Sequence, residues 1–97
     1  MEEIYNVIDL DISSARTNRD FAEDGLDYSS FKCITSITII SSPVDEIYIK
    51  INETTADGIP MSEGDMIEDH KIDRLYFSNT ATSTAAVKVF VGGMAVR

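Results

Sequence analysis

Cys33 and His70 are the only cysteine and the only histidine in the 97 residues, so they form the one thiol–imidazole pair the chain could assemble. Nucleophilic catalysis by such a pair needs a thiol ionised beside its base and a third group to orient that base. Cys33 instead opens the run Cys33-Ile34-Thr35-Ser36-Ile37, where thiols are ordinarily inert packing residues. His70 sits in Glu68-Asp69-His70-Lys71, a polar stretch that reads as an exposed turn, and no Gly-rich oxyanion loop accompanies either residue. A single cysteine also rules out an internal disulfide and a cysteine-based zinc site. No catalytic residue is assigned.

The acids are the next candidates. Asp20, Glu23, Asp24 and Asp27 form one group, and Glu63, Asp65, Glu68 and Asp69 another. Both have the oxygen ligands that Ca²⁺ takes, but neither has the spaced Asp/Asn ladder with its central Gly. They read as solvated negative surface, and no metal or cofactor is expected. Asp9 and Asp11 share one strand face, yet paired catalytic carboxylates need apolar surroundings to separate their pKa values. Gly92-Gly93 has neither the Lys-Ser/Thr nor the helix of a phosphate loop and is expected to close the last strand. Met61, Met66 and Met94 suit a core or an adaptable interface.

The chain that must position these residues carries 17 acids against 8 bases, a net charge of −9. Binding to nucleic acid or to an anionic membrane surface needs clustered Lys and Arg, so neither partner is expected. The start, Met1-Glu2-Glu3-Ile4-Tyr5-Asn6, has acid where a signal peptide needs positive charge. The longest uncharged stretch, Cys33 to Val44, is interrupted by Thr and Ser and does not reach the length of a membrane span. A soluble protein made in a cytoplasm is the expectation.

Ile, Thr and Ser are abundant and Leu is rare, a mixture that favours strands. Ile47, Ile49 and Ile51 alternate with Tyr48, Lys50 and Asn52. Val87-Lys88-Val89-Phe90-Val91 repeats that period, Ile8, Leu10 and Ile12 fall opposite Asp9 and Asp11, and Leu75 and Phe77 share a face. Phe31 to Ser42 looks apolar on both faces, with Ile34 and Ile40 set against Ile37 and Ile39, as in a central strand. Turn signals occur at Asp24-Gly25, Ser42-Pro43, Asp57-Gly58, Glu63-Gly64 and Ser78-Asn79. The fold class is all-β: a small antiparallel β-sandwich or jelly-roll-like barrel of about six to eight short strands. Residues 1–97 form a single domain, with residues 13–28 expected as an irregular loop or arm.

Three stretches carry a resemblance. They are Ile47-Tyr48-Ile49-Lys50-Ile51-Asn52, then Gly58-Ile59-Pro60-Met61-Ser62-Glu63-Gly64-Asp65, then Leu75-Tyr76-Phe77-Ser78-Asn79-Thr80-Ala81 leading to Val87-Lys88-Val89-Phe90-Val91-Gly92-Gly93. Their order resembles small β-rich virion structural proteins of tailed bacteriophages, of the capsid-decoration, head-fibre or tail-accessory type. Ile8 to Thr17 resembles the opening strand of such proteins. Residues 4–17 and 44–93 are covered, and Arg19 to Ser42 has no counterpart.

The resemblance implies a non-enzymatic virion subunit, a capsid decoration or head-fibre-base protein made in the host bacterial cytoplasm. It would form a symmetric homo-oligomer, a trimer favoured, and contact other virion proteins. A thin core without a disulfide agrees with a domain stabilised by assembly. Arg16, Arg19, Phe21, Leu26 and Tyr28 of the arm, with Tyr48 and Tyr76, are the expected contact residues. The alternative is a carbohydrate-binding β-sandwich, such as a host-surface-binding accessory of a tail or fibre, but Trp is absent and the tyrosines are scattered along the chain. A cupin-type enzyme would need several His ligands where this chain has one.

Overall fold

Among the described residues, eight strands are divided equally between two sheets. The computed structural model describes residues 2–96, apart from the side chains of Asp69 and His70. The strands are β1 (Glu3–Leu10), β2 (Arg16–Asp20), β3 (Phe31–Ser41), β4 (Ile47–Ile51), β5 (Ile59–Met61), β6 (Met66–Ile72), β7 (Leu75–Asn79) and β8 (Val87–Ala95). One sheet has the order β1-β8-β3-β6 and the other β2-β7-β4-β5. All pairings are antiparallel. Every connection except β4–β5 crosses from one sheet to the other, which is the double Greek key of a jelly roll.

The core lies between the sheets. Ile8 and Leu10 of β1, Ile47 and Ile49 of β4, Leu75 and Phe77 of β7, and Val87, Val89 and Val91 of β8 are all buried. These are the inward positions that the period-2 pattern assigns.

β3 departs from its expected phase. Phe31, Ile34, Ile37 and Ile39 are all buried whereas Ile40 is exposed, so only one face of the strand carries the core. The register shifts between Phe31 and Cys33 and again between Ile34 and Ser36. Each shift adds a residue and turns the next apolar side chain back to the same face. What looks like a strand buried on both sides is a bulged strand buried on one.

Residues 13–28 are also more regular than an irregular arm. They contain β2 and a 3-10 turn, Phe21–Asp24, and a second such turn, Tyr28–Ser30, follows directly. The Asp20 carboxylate accepts from Ala22 N–H, and Gly25, with φ of 108°, ends the first turn in the left-handed region. That turn touches β1 of one sheet and β7 of the other. Phe21 therefore plugs the opening between them, its ring meeting that of Phe77 edge-on at 5.9 Å.

The last strand does not stop at Gly92-Gly93. It runs on to Ala95 between β1 and β3, and Gly93 is where the bulged backbone of β3 comes closest. A Cβ at Gly93 would lie 2.2 Å from the Cys33 carbonyl oxygen and 2.8 Å from Ile34 Cα.

Candidate functional site

The residues expected to face a partner divide into those that hold the chain together and those that do not. Phe21 and Leu26 are buried in the core, 0% and 3% exposed, so neither is available as a contact. Both large apolar side chains of the 21–26 segment turn inward, while Ala22 stays exposed, because the segment covers the open side of the sandwich. Arg16 donates from Nε to the Asp11 carbonyl at 3.1 Å and pairs with the Asp11 carboxylate at 3.0 Å. Arg19 makes a two-pronged contact with Asp24, at 3.0 and 3.3 Å. Tyr28 donates its hydroxyl to Asp20 at 2.7 Å and accepts the Leu75 N–H at 2.9 Å, while Arg74 lies 4.7 Å above its ring. Burial pushes the Tyr28 phenol well above the usual tyrosine range; the Leu75 backbone opposes this and Asp20 adds to it.

The acids are employed in the same way. Asp27 accepts from the Ser29 amide and from the Ser29 and Ser30 hydroxyls, and these bonds hold its carboxyl below the ordinary value. Asp11 is lowered by its hydrogen bonds to Ser13 and, less, by the nearby Arg16 and Arg19. Glu63 accepts from Ser42 N–H and Asp65 from Ser62 N–H. Asp9 pairs with Lys88 at 3.2 Å. These carboxylates cap turns and pair with cations rather than converge, and no metal-ligand cluster occurs among the described residues. Cys33 is half-buried, in register with Met94, and the His70 side chain lies outside the described residues.

Tyr48 and Tyr76 lie on the outer face of the β2-β7-β4-β5 sheet, opposite Ser78 and Lys50 respectively. Tyr48 donates its hydroxyl to Glu46 at 2.7 Å and packs over Gly58. It borders an open recess of about 360 Å³ with Pro43, Glu46 and Thr80.

A more structured feature lies on the outer face of the other sheet. Tyr5 and Ser36 flank Gly92 from either side in register. Having no side chain, Gly92 leaves room for the Phe90 ring, whose Cε1 would be 2.8 Å from any Cβ placed there. The Tyr5 and Phe90 rings stack with centroids 5.3 Å apart and planes inclined by 20°. Beside them opens a groove of about 310 Å³ that also reaches Glu3, Thr35 and Met94. Tyr5 remains 66% exposed. Apart from Met94, read from the sequence as a core or interface residue, none of these residues is among the expected contacts. Tyr5 and Phe90 stand at opposite ends of the sequence, and nothing local signals that β1 and β8 are neighbours.

The edges of the two sheets differ. β5 has three residues including Pro60, which has no N–H to offer. β2 is broken by a register shift at Asn18, whose φ is 51°. β6 carries Glu68-Asp69-His70-Lys71 and a shift against β3. β1 runs eight residues in unbroken register with β8 and contains no proline. Comparison with family models, with curated proteins and with solved structures finds no match for this chain.

Proposed function

We propose that this chain is a non-enzymatic structural subunit of a bacteriophage virion, a capsid decoration or head-fibre-base protein. It assembles with copies of itself and with other virion proteins. The observation that carries the assembly reading is the edge formed by β1. Edge strands expose a row of unpaired N–H and C=O groups, and proteins ordinarily blunt them with proline, charge, bulges or short length. Three of the four edges here are shortened, broken by a register shift or interrupted by proline, whereas β1 is eight residues long, in unbroken register and free of proline, its charge limited to Glu3 and Asp9. The virion setting is supported by the strand-and-turn resemblance, whose matched stretches fall on β1, β4, β5, β7 and β8.

The open edge suits pairing of β1 with β1 of a second copy about a two-fold axis, which would join two four-stranded sheets into one of eight. A trimer would require β1 to meet a different edge of its neighbour, and the charged β6 is a poor complement. The test is native mass by light scattering coupled to size exclusion, with Val7→Glu as the variant. Val7 is exposed on β1, and a glutamate there adds like charge beside Glu3 and Asp9 of a paired copy. A wild-type mass of two or three chains that falls to one in the variant, with melting unchanged, is the expected result. A wild-type monomer, or an oligomer indifferent to Val7→Glu, would refute assembly through β1.

A further inference from the structure

We infer that the groove beside Tyr5 and Phe90 is a binding site for a single neutral hexopyranose ring, such as the exposed end of a glycan. This inference is independent of the assembly reading, because strand pairing uses the backbone edge of β1 whereas the groove opens on the outer face of the sheet.

The first observation is the aromatic platform. Sugar rings present one face of C–H bonds with partial positive charge, which is attracted to the negative face of an aromatic ring. Tyr5 and Phe90 line the groove with two stacked, nearly parallel rings, and Tyr5 is largely open to solvent. The platform depends on Gly92, because a side chain there would displace Phe90.

The second observation concerns the polar groups around it. Among the described residues, no hydrogen bond or ion pair within the chain engages the Tyr5, Thr35 or Ser36 hydroxyls or the Glu3 carboxylate. Elsewhere in the molecule the Asp20, Asp27 and Tyr28 side chains are committed to turns and strand ends. Around the groove, three hydroxyls and one carboxylate are left to donate to and accept from the hydroxyls of a sugar.

Size and charge then narrow the class. A volume of about 310 Å³ is at the small end of ligand sites, enough for one ring and not for an extended chain. Glu3 at the rim and the net charge of −9 repel uronic acids, sialic acids and phosphorylated sugars.

The experiment is a titration of the isotope-labelled full chain with the methyl glycosides of glucose, galactose, mannose and N-acetylglucosamine, followed by amide NMR shifts, with glucuronate as the charged comparison. The expected result is saturable shifts confined to residues around Tyr5, Ser36 and Gly92 for at least one neutral sugar. Tyr5→Ala should weaken that binding at least tenfold without changing the melting temperature, and Tyr48→Ala should leave it intact. No saturable shift with any neutral sugar would overturn the inference. So would equal binding by Tyr5→Ala, shifts centred on the opposite sheet, or tighter binding of glucuronate.

Discussion

Replacing Gly93 with alanine tests the packing of the central strands most directly. The added Cβ would sit 2.2 Å from the Cys33 carbonyl oxygen, and Ile34 Cα is 2.8 Å away. Carbon and carbonyl oxygen on neighbouring strands normally approach no closer than about 3.3 Å, so the backbones must part by about 1 Å. Both close atoms belong to the main chain, which has no rotamer by which to escape. A displacement of that size stretches the local β3–β8 hydrogen bonds beyond useful length, at about 1 kcal/mol each, and adds about 1–3 kcal/mol of overpacking strain. The sum is about 3–5 kcal/mol, a large part of the roughly 5–15 kcal/mol that holds such a domain folded. In a domain of this size that corresponds to a melting point lower by at least about 12 °C. Gly92→Ala is the matched comparison, since its near neighbours are the edge of the Phe90 ring and the Ser36 hydroxyl, both able to turn aside. Its cost should stay within about 1 kcal/mol, partly offset by the backbone entropy that alanine saves. Thermal melts by circular dichroism, repeated in urea, give both numbers. Equal stabilities for the two variants, or Gly93→Ala melting within about 4 °C of the wild type, would show that the bulged strand does not press on β8 as described.

Two further outcomes follow from single side chains. Asn52, at φ 65°, accepts the Asp73 and Arg74 amides on Oδ1 and donates to the Lys71 carbonyl, tying the end of β4 to the β6–β7 turn. Asn52→Ala should lose these bonds and add left-handed strain, about 2–3 kcal/mol in urea melts, whereas Asn52→Gly should cost about 1 kcal/mol less; the reverse order would contradict the capping role. Tyr28→Phe should cost about 2 kcal/mol at neutral pH by removing the bond to Asp20 and the acceptor of the Leu75 amide. Because the folded phenol titrates above its unfolded value of 10.0, its contribution is complete below pH 10 and is lost as pH rises beyond that. The wild type should therefore lose stability more steeply than Tyr28→Phe in alkaline melts, and parallel curves would refute the assignment.

Most of the sandwich is legible wherever an inward face repeats every second residue. The Ile47–Ile51 and Val87–Val91 alternations, with Ile8 and Leu10, mark strands and their buried sides without ambiguity. β2 is not legible, because Arg-Thr-Asn-Arg-Asp has no apolar residue and is a strand only through its pairing with β7. The phase of β3 is hidden by bulges, which shift the period without leaving a composition signal. The arm residues are visible as a cluster, but charge and aromaticity do not say whether a side chain faces a partner or its own chain. Arg16, Arg19 and Tyr28 find intrachain partners within and around the arm. The groove is invisible for a topological reason: Gly92 reads as a strand end until β1 and β3 are known to flank it.

The order of strands in the sheets also constrains how the chain is made. In β1-β8-β3-β6 no two neighbours are consecutive, and among all eight strands only β4 and β5 pair directly after one another. During synthesis β1 must wait for β8, its one neighbour in the sheet, to leave the ribosome, and β3 has only β6 to pair with until then. Folding dominated by such distant pairings is slow, and the waiting strands expose apolar faces and open edges meanwhile. The acidic residues interleaved with the isoleucines, and the net charge of −9, keep nascent copies apart during that interval. Acids that cap turns and pair with cations in the finished fold thereby also act before the fold exists.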